Sequence, residues 1–268
     1  MKSELIGEYL DSLFPNPRCE LLYNSDYELL IAVVLSAQST DKRVNTVTPI
    51  IFSKYSNLEK LKDAPLEDLE SIIRPVGSFR KKAFYVKEIA RRVYLEHNGI
   101  VPKDRDILMT FPGVGRKTIN VFLSEYYNEA AIAVDTHVER ISKRLGLAYL
   151  KDDVLKVEEK LQKKFPKNLW GKRHLQMVLF GRYYCKAIKP LCKDCKLKNI
   201  CREKKKNFDW NSSFYGVGDG VGEGDGEGVG VGVGDGEGVG VGVGFSSSES
   251  LFSYFLIAGS LCISLDDL

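Results

Sequence analysis

The sequence is poor in cysteine, in long apolar runs and, near its C-terminus, in basic residues. Only six of its 268 residues are cysteine, and four of these fall within residues 185–201. The longest apolar stretch, 251–265, is shorter than the roughly 20 residues of a membrane-spanning helix, so a membrane anchor is the weaker alternative to an aberrant tail. The N-terminus, MKSELIGEYL, lacks an uninterrupted apolar signal core. We therefore expect a cytoplasmic protein that is not secreted and has no membrane partner.

Basic residues are absent after Lys206, where ten acidic residues lie. Residues 1–206 therefore hold all 39 basic residues but only 26 of the 36 acidic ones, a balance of +13. A body this basic favours a polyanionic partner, and nucleic acid is the first candidate because each neutralised phosphate releases counterions. The alternative is a lysine-rich surface without such a partner.

Glycine alternates with Val, Asp or Glu throughout residues 216–244. Such a segment has no large side chains to bury and loses the most backbone entropy on folding. We expect the low-complexity tail, 207–268, to be disordered, and assign it no function.

Strand signals are also missing, because no pair of alternating apolar runs is joined by a hairpin turn. Helix starts are present instead. Ser25 and Glu28 form a capping box before the apolar run 29–37, although β-branched residues in that run leave a buried strand as a competitor. Further starts are indicated at Asp63 and Pro65, and at Asp104. The sequence predicts an all-α body.

The segment FPGVGRK separates two helical patterns. Pro112 ends the helix before it, and glycines permit a tight turn. Backbone N–H groups at the start of the next helix suit a phosphate oxygen and carry no base preference. The sequence therefore predicts a helix-hairpin-helix in which these residues contact DNA: Gly113, Val114, Gly115 and Arg116. GVGRKT lacks the spacing of a nucleotide-binding loop, but a merely structural turn remains an alternative.

The four clustered cysteines follow the spacing C-x6-C-x2-C-x5-C. They are Cys185, Cys192, Cys195 and Cys201. Four thiolates in so short a segment can surround one metal centre. Structural zinc more often shows two close cysteine pairs, whereas here only Cys192 and Cys195 are close. An iron–sulfur cluster is favoured, with zinc and unligated or disulfide-linked cysteines as alternatives.

Five stretches of the sequence form an ordered set of motifs. They are LLIAVVLSAQSTD at 29–41, HNGIVPKDR at 97–105, FPGVGRKT at 111–118, AVDTH at 133–137 and GRYYC at 181–185. With the cysteine spacing, they closely resemble the endonuclease III family of DNA glycosylase/lyases in the helix-hairpin-helix superfamily. The resemblance implies a base excision repair enzyme that excises oxidised pyrimidines and cleaves abasic sites. Its partner would be double-stranded DNA containing damaged pyrimidines or abasic sites, bound by a nucleoid-associated monomer.

The same resemblance implies an all-α, two-domain fold around a DNA cleft. Residues 22–132 would form a six-helix barrel that ends in the helix-hairpin-helix. Residues 1–21 and 133–206 would form a second domain, in which the four cysteines hold a 4Fe-4S cluster. In the family the cluster shapes the loop between its first two ligands, where Lys186 and Lys189 would contact phosphates. The alternative for both lysines is a solvated loop.

By resemblance, Lys117 is the catalytic nucleophile and Asp135 its catalytic partner. Without it, Lys117 would be interpreted as a phosphate-binding lysine and Asp135 as a helix cap. Lysine suits the chemistry, because the reaction requires an amine that attacks the sugar C1′ and forms a Schiff base. A lysine of ordinary pKa is only about 0.1% neutral near pH 7.4, so burial or a cation such as Arg116 must lower the pKa. A carboxylate would raise it, so Asp135 is interpreted as stabilising the cationic sugar and relaying protons.

An extruded nucleotide leaves a gap in the base stack that a side chain must fill. Gln38 matches the family position that fills it, the alternative being a polar residue at a helix end. Where relatives often carry a bulky apolar wedge, this chain has Ser78 followed by Phe79. Either Phe79 substitutes for the wedge or the enzyme relies more on Gln38. Asp41 either lines the base pocket or is a helix-start charge.

Two other functions remain open at this point. A monofunctional mismatch glycosylase shares the cysteine cluster but lacks a lysine at position 117, and a non-catalytic helix-hairpin-helix DNA-binding module needs no carboxylate in register with that lysine. The presence of Lys117 and Asp135 favours the bifunctional enzyme. His137 is left out of catalysis.

Overall fold

The computed structural model describes residues 2–208, and every regular element in that range is helical. In chain order these are α1 Lys2–Leu13, α2 Asp26–Leu35, α3 Asp41–Lys54, α4 Leu58–Lys62, α5 Leu66–Ile73, α6 Phe79–Glu96, α7 Arg105–Met109, α8 Arg116–Tyr127, α9 Thr136–Arg144, α10 Val154–Lys164, a 3₁₀ turn Lys167–Leu169 and α11 Trp170–Tyr183. The predicted all-α fold is confirmed. The predicted tail lies outside the described residues, apart from its first two positions. No helix within 2–208 is long and apolar enough to cross a membrane.

Side-chain caps explain where several helices begin. The Ser25 hydroxyl accepts a hydrogen bond from the Glu28 amide, so the predicted helix start is confirmed. The Glu28 carboxylate accepts a bond at 2.7 Å from the amide of Asn24, one residue before the Ser25 amide that a standard capping box would use. The run that followed it is helix rather than strand, although α2 ends at Leu35, before the predicted end. The Asp104 carboxylate accepts from two first-turn amides of α7, as the sequence predicted.

The helix start predicted near residue 65 is placed more closely by the structure. Pro65 is the N-cap of α5, whereas Asp63 closes the preceding five-residue helix, α4. Between residues 22 and 132 the described chain has seven helices, of which α4 and α7 span five residues each. The division into a six-helix barrel remains a prediction.

Buried side chains of α2 to α8 form a first core cluster. Helix α2 lies at its centre, because α6 and α8 both pack on it and every residue from Leu29 to Leu35 is buried. Its apolar residues show no helical spacing for that reason: all of its faces meet other helices. Full burial of one Leu or Ile side chain stabilises a protein by about 1.5–3 kcal/mol, so α2 anchors this part of the molecule.

A second core cluster joins α1 to the C-terminal helices. Ile6 and Leu10 pack with apolar residues of α9, α10 and α11. Asp11 of α1 forms an ion pair with Arg173 of α11 at 2.9 Å, and this hydrogen bond holds the pKa of Asp11 well below its usual range. Along the sequence, the two clusters divide close to the predicted domain boundaries. All described residues nevertheless lie in one compact unit, so the two-domain division remains a prediction.

Candidate active site

The hairpin between α7 and α8 uses its two glycines differently. Gly113 has a left-handed backbone, φ +76°, and a Cβ there would lie 2.5 Å from the Tyr85 ring and 3.1 Å from Val34. Only glycine fits both demands. A Cβ at Gly115 would meet no atom within 4 Å. The backbone at Gly115 therefore faces open space, where a phosphate could approach the start of α8.

The remaining hairpin residues, Val114 and Arg116, make contacts within the protein. Val114 buries its side chain in the first core cluster and donates its amide to the Phe111 carbonyl at 3.2 Å. Arg116 forms two hydrogen bonds to Glu158 of α10, at 3.0 and 2.9 Å. These bonds raise the pKa of the guanidinium. The positive charge that the sequence placed beside Lys117 thus has a carboxylate partner.

Lys117 and Asp135 line one cavity. Lys117 is exposed in the first turn of α8, and Asp135 is the half-exposed N-cap of α9. One carboxylate oxygen of Asp135 accepts the Val138 amide at 2.7 Å. The interpretation of Asp135 as a helix cap is confirmed, and because only one of its oxygens makes that bond, capping leaves the other oxygen to the cavity. Two residues from different motifs are thus brought to one site.

Charged side chains from distant segments form another part of the cavity wall. Arg182, in the GRYYC motif, pairs with Asp41 at 2.6 Å and also with Glu20, whose carboxylate accepts the Tyr183 hydroxyl as well. All three charged residues line the cavity. Asp41 lies in the first turn of α3, so its interpretation as a helix-start charge is confirmed. It also lines the cavity, and its role in a base pocket stays a prediction.

His174 is a wall residue that sequence reasoning missed. Its ring is 5% exposed, and its Nδ1 has no hydrogen-bond partner among the described residues. Burial lowers the pKa of His174 to about 4. The charge of Lys117 also lowers this pKa, whereas the charge of Asp135 raises it. The ring is therefore neutral at pH 7. A lone histidine on a helix has no motif around it, so no pattern in the sequence distinguishes it.

Gln38 and Ser78, from the two turns expected to open the DNA, do not line this cavity. Gln38 is exposed in the turn after α2 and has a left-handed backbone, φ 55°. Ser78 is exposed as well, also with positive φ, immediately before α6. The Phe79 ring is half-buried, packs on the first core cluster and lies 5.0 Å from the Arg80 guanidinium. Of these side chains, Gln38 and Ser78 are the ones open to solvent.

The four clustered cysteines line a second cavity, together with apolar residues such as Phe180, Tyr184 and Leu191. All four are free thiols, and burial raises the pKa of Cys185 and of Cys195. Within residues 2–208, no three His, Cys, Asp or Glu side chains are grouped as a single metal ion requires. Four sulfur donors around an apolar cavity fit a multi-iron cluster better than one zinc ion.

Arg144, at the end of α9, holds this segment and was also missed. Its guanidinium lies 3.5 Å from the Cys185 sulfur, donates to the carbonyls of Lys186 and Ala187 at 2.7 and 3.2 Å, and pairs with Glu203 at 2.8 Å. The loop that carries Lys186 and Lys189 is therefore fixed to α9. Both lysines are exposed and neither lines the Lys117 cavity.

Comparison with known proteins identifies the family. Residues 31–167 match the model of HhH-GPD superfamily base excision DNA repair proteins. Endonuclease III of Bacillus subtilis (strain 168) is 46% identical over 203 residues, which cover 76% of this chain and 93% of the relative. The chain belongs to the endonuclease III family. A solved trapped endonuclease III–DNA covalent intermediate, an estranged-adenine complex, is 47% identical, with a TM-score of 0.72 over 75% of this chain and 96% of that one.

As a member of the endonuclease III family, the chain is a base excision repair DNA glycosylase and AP lyase. The glycosylase and lyase activities inferred from the motifs are thus confirmed. A thermostable thymine-DNA glycosylase of known structure is 22% identical, with a TM-score of 0.67 over 75% of this chain and 95% of its own, and shares the fold alone. The bifunctional enzyme is therefore favoured over a monofunctional mismatch glycosylase and over a non-catalytic DNA-binding module.

Proposed function

We propose that this enzyme excises oxidised pyrimidines from double-stranded DNA and cleaves the resulting abasic site through an imine on Lys117. The observation that carries the proposal is the shared cavity of Lys117 and Asp135. An amine and a carboxylate facing one enclosed space supply the nucleophile and the countercharge that this reaction requires.

In the proposed reaction, the uncharged amine of Lys117 attacks the sugar C1′. The bond from C1′ to the base breaks, and the base leaves with the electron pair and takes up a proton. Opening of the sugar ring gives a protonated Schiff base. Loss of a proton from C2′ then expels the 3′ phosphate oxygen and breaks the strand, and water finally hydrolyses the imine and releases Lys117.

Asp135 stabilises the positive charge that develops on the sugar as the bond to the base breaks. Its backbone position at the start of α9 and its bond to the Val138 amide hold the carboxylate in place. A charge held in position beforehand costs no reorganisation during the reaction. His174, neutral beside both residues, supplies no competing charge.

DNA is held mainly through its phosphates. The uncapped start of α8 at Gly115 and the exposed Lys186 and Lys189 supply amides and positive charge, and the Arg116 guanidinium is shared with Glu158. Gln38 fills the gap left by the extruded nucleotide, because Phe79 is packed against the core. The enzyme acts as a monomer.

The four cysteines hold a 4Fe-4S cluster in this proposal. The cluster would supply a covalent scaffold that fixes residues 185–201, and no step of base excision depends on it. The Arg144 guanidinium, 3.5 Å from the Cys185 sulfur, partly offsets the burial that raises the pKa of that thiol.

Borohydride reduction tests the nucleophile. Adding it during reaction with an abasic duplex should leave the protein covalently joined to DNA, because the imine is reduced to a stable amine. Lys117→Gln should abolish trapping and strand cleavage while sparing DNA binding, whereas Lys81→Gln, at an exposed position on α6, should trap like the wild type. Cross-linking of Lys117→Gln at the wild-type rate would show that another amine is the nucleophile.

Single-turnover assays test the substrate class. Thymine glycol and dihydrouracil duplexes should both be incised, and undamaged duplex should not. An enzyme that cleaves abasic sites but excises neither base would contradict the oxidised-pyrimidine assignment and leave the lyase assignment intact.

A further inference from the structure

Lys82 of α6 is a buried lysine without an acidic partner. Only 5% of its surface is exposed. Burial lowers its pKa, and no charged neighbour in the described part of the chain contributes to the shift. Its Nζ donates instead to two backbone carbonyls, those of Leu35 at 3.0 Å and Ala37 at 2.6 Å. A charge buried in this way needs a structural or functional reason.

The two carbonyls lie at and just beyond the C-terminal end of α2, because Leu35 is the last residue of the helix and Ala37 follows its C-cap. Such carbonyls have no amide partners within the helix and carry its negative dipole end, so a cation is favourable there. The next residue along the chain is Gln38. Lys82 thus binds two of the last three carbonyls before the exposed side chain that is proposed to enter the DNA.

Lys82 also lies one helical turn after Ser78, which is in the second turn expected to open the DNA, and is linked to it through the backbone. The backbone amide of Lys82 donates to the Ser78 carbonyl at 3.1 Å. The Gln38 turn (residues 36–40) and the Ser78 turn (residues 74–78) also lie close together, because a Cβ added at Gly77 would come within 3.8 Å of the Gln38 carbonyl oxygen. Gln38 and Ser78 both have left-handed backbones, which are costly for residues other than glycine unless neighbours hold them.

We propose that Lys82 is a positioning residue for base extrusion, which locks the Gln38 turn and the Ser78 turn into one rigid unit. The proposal rests on the proposed function, in which Gln38 fills the vacated space in the DNA. Rigidity matters here because Ser78 is too small to act as a bulky wedge. Gln38 must then fill the gap with little help, and a side chain placed an ångström away loses much of its effect.

The test compares DNA opening with chemistry in Lys82→Met, which keeps the length of the side chain and removes the charge and the donors. Lys81→Met, at the exposed neighbouring position, is the matched control. Two rates are measured: single-turnover excision of thymine glycol from duplex DNA, and borohydride trapping on a single-stranded abasic oligonucleotide. The second requires Lys117 but no opening of a base pair. Fluorescence of 2-aminopurine opposite the lesion reports unstacking.

Lys82→Met should slow duplex excision roughly ten- to hundredfold and abolish the 2-aminopurine signal, with single-stranded trapping within about twofold of wild type. Gln38→Ala should behave in the same way. The double variant should be no slower than the slower single variant, because both substitutions impair the same step, the filling of the gap by Gln38. Lys81→Met should change neither rate. Equal losses on duplex and single-stranded DNA, or wild-type duplex excision, would overturn the proposal.

A second variant covers the case in which Lys82→Met does not fold. Gly77→Val adds bulk at an exposed position between the two turns and leaves Lys82 and the core intact. It should reproduce the selective loss on duplex DNA, and a fully active Gly77→Val enzyme would count against the locked unit. If borohydride did not trap the wild-type enzyme on abasic DNA, the proposed function would be refuted instead. That measurement uses the wild type alone and does not depend on any Lys82 variant.

Discussion

Arg116 and Glu158 form a two-bond ion pair that ties the hairpin helix α8 to α10. The Arg116 side chain is 58% exposed, whereas the Glu158 side chain is 5% exposed. The partners are therefore unequal, because Glu158 has given up its hydration and depends on Arg116 to compensate its charge. The start of α8, which carries Lys117, is held by this pair.

Arg116→Met should destabilise the protein by about 1–3 kcal/mol, because it leaves a buried carboxylate with one partner fewer. Urea unfolding at neutral pH measures the effect. Arg91→Met, which breaks an exposed pair with Glu88, is the control and should cost clearly less than Arg116→Met. Glu158→Gln should cost less than Arg116→Met because it removes the buried charge itself. Equal stabilities for the Arg116 and Arg91 variants would show that the pair is no more than a surface contact.

Asp135→Asn should fold normally and bind DNA, yet excise bases roughly 10²–10³-fold more slowly. Asparagine caps helices as well as aspartate does, so only the charge beside the sugar is lost. Single-turnover excision measures the rate. Asp153→Asn is the matched control, since Asp153 caps α10 with the same geometry at 2.8 Å and lies outside the cavity. Wild-type excision by Asp135→Asn would remove Asp135 from the mechanism.

His174 should make the folded state sensitive to mild acid. Its pKa in the folded state, about 4, is lower than the ordinary histidine pKa of 6.5, so between these values the unfolded chain binds more protons. Stability from this residue is complete above about pH 6.5 and falls as the pH drops toward 4, by on the order of 3 kcal/mol. Unfolding of His174→Asn across that range should show a flatter dependence on pH. An unchanged slope would mean that His174 is hydrated in solution.

The purified protein should be brown and contain iron, because four thiolates in this segment suit an iron–sulfur cluster. Cys195→Ser should lose the iron and the visible absorbance and expose residues 185–201 to proteolysis. Cys19→Ser, whose thiol lines the other cavity, should keep its iron. Stoichiometric zinc without iron in the wild type would contradict the cluster.

Local patterns were enough to establish the helical elements and the family. The cap at Ser25, the cap at Asp104 and the glycine at position 113 each depend on residues only a few positions apart, and the sequence displays such spacings directly. The same holds for the four cysteines. The site residues Lys117 and Asp135 could be singled out because each lies within a motif. Their joint presence in one cavity supports the roles that remain to be tested.

Only the tertiary structure revealed the residues whose partners are distant in the chain. No local spacing in the sequence predicts the pairing of Arg116 with Glu158 or the contact of Arg144 with the cysteine loop. The same is true of the burial of His174 beside Lys117. Lys82 is the clearest case, since in the sequence it is one lysine among several at the start of α6. Burial and hydrogen-bond partners are set by how helices pack, and packing joins positions that the order of residues alone leaves unrelated.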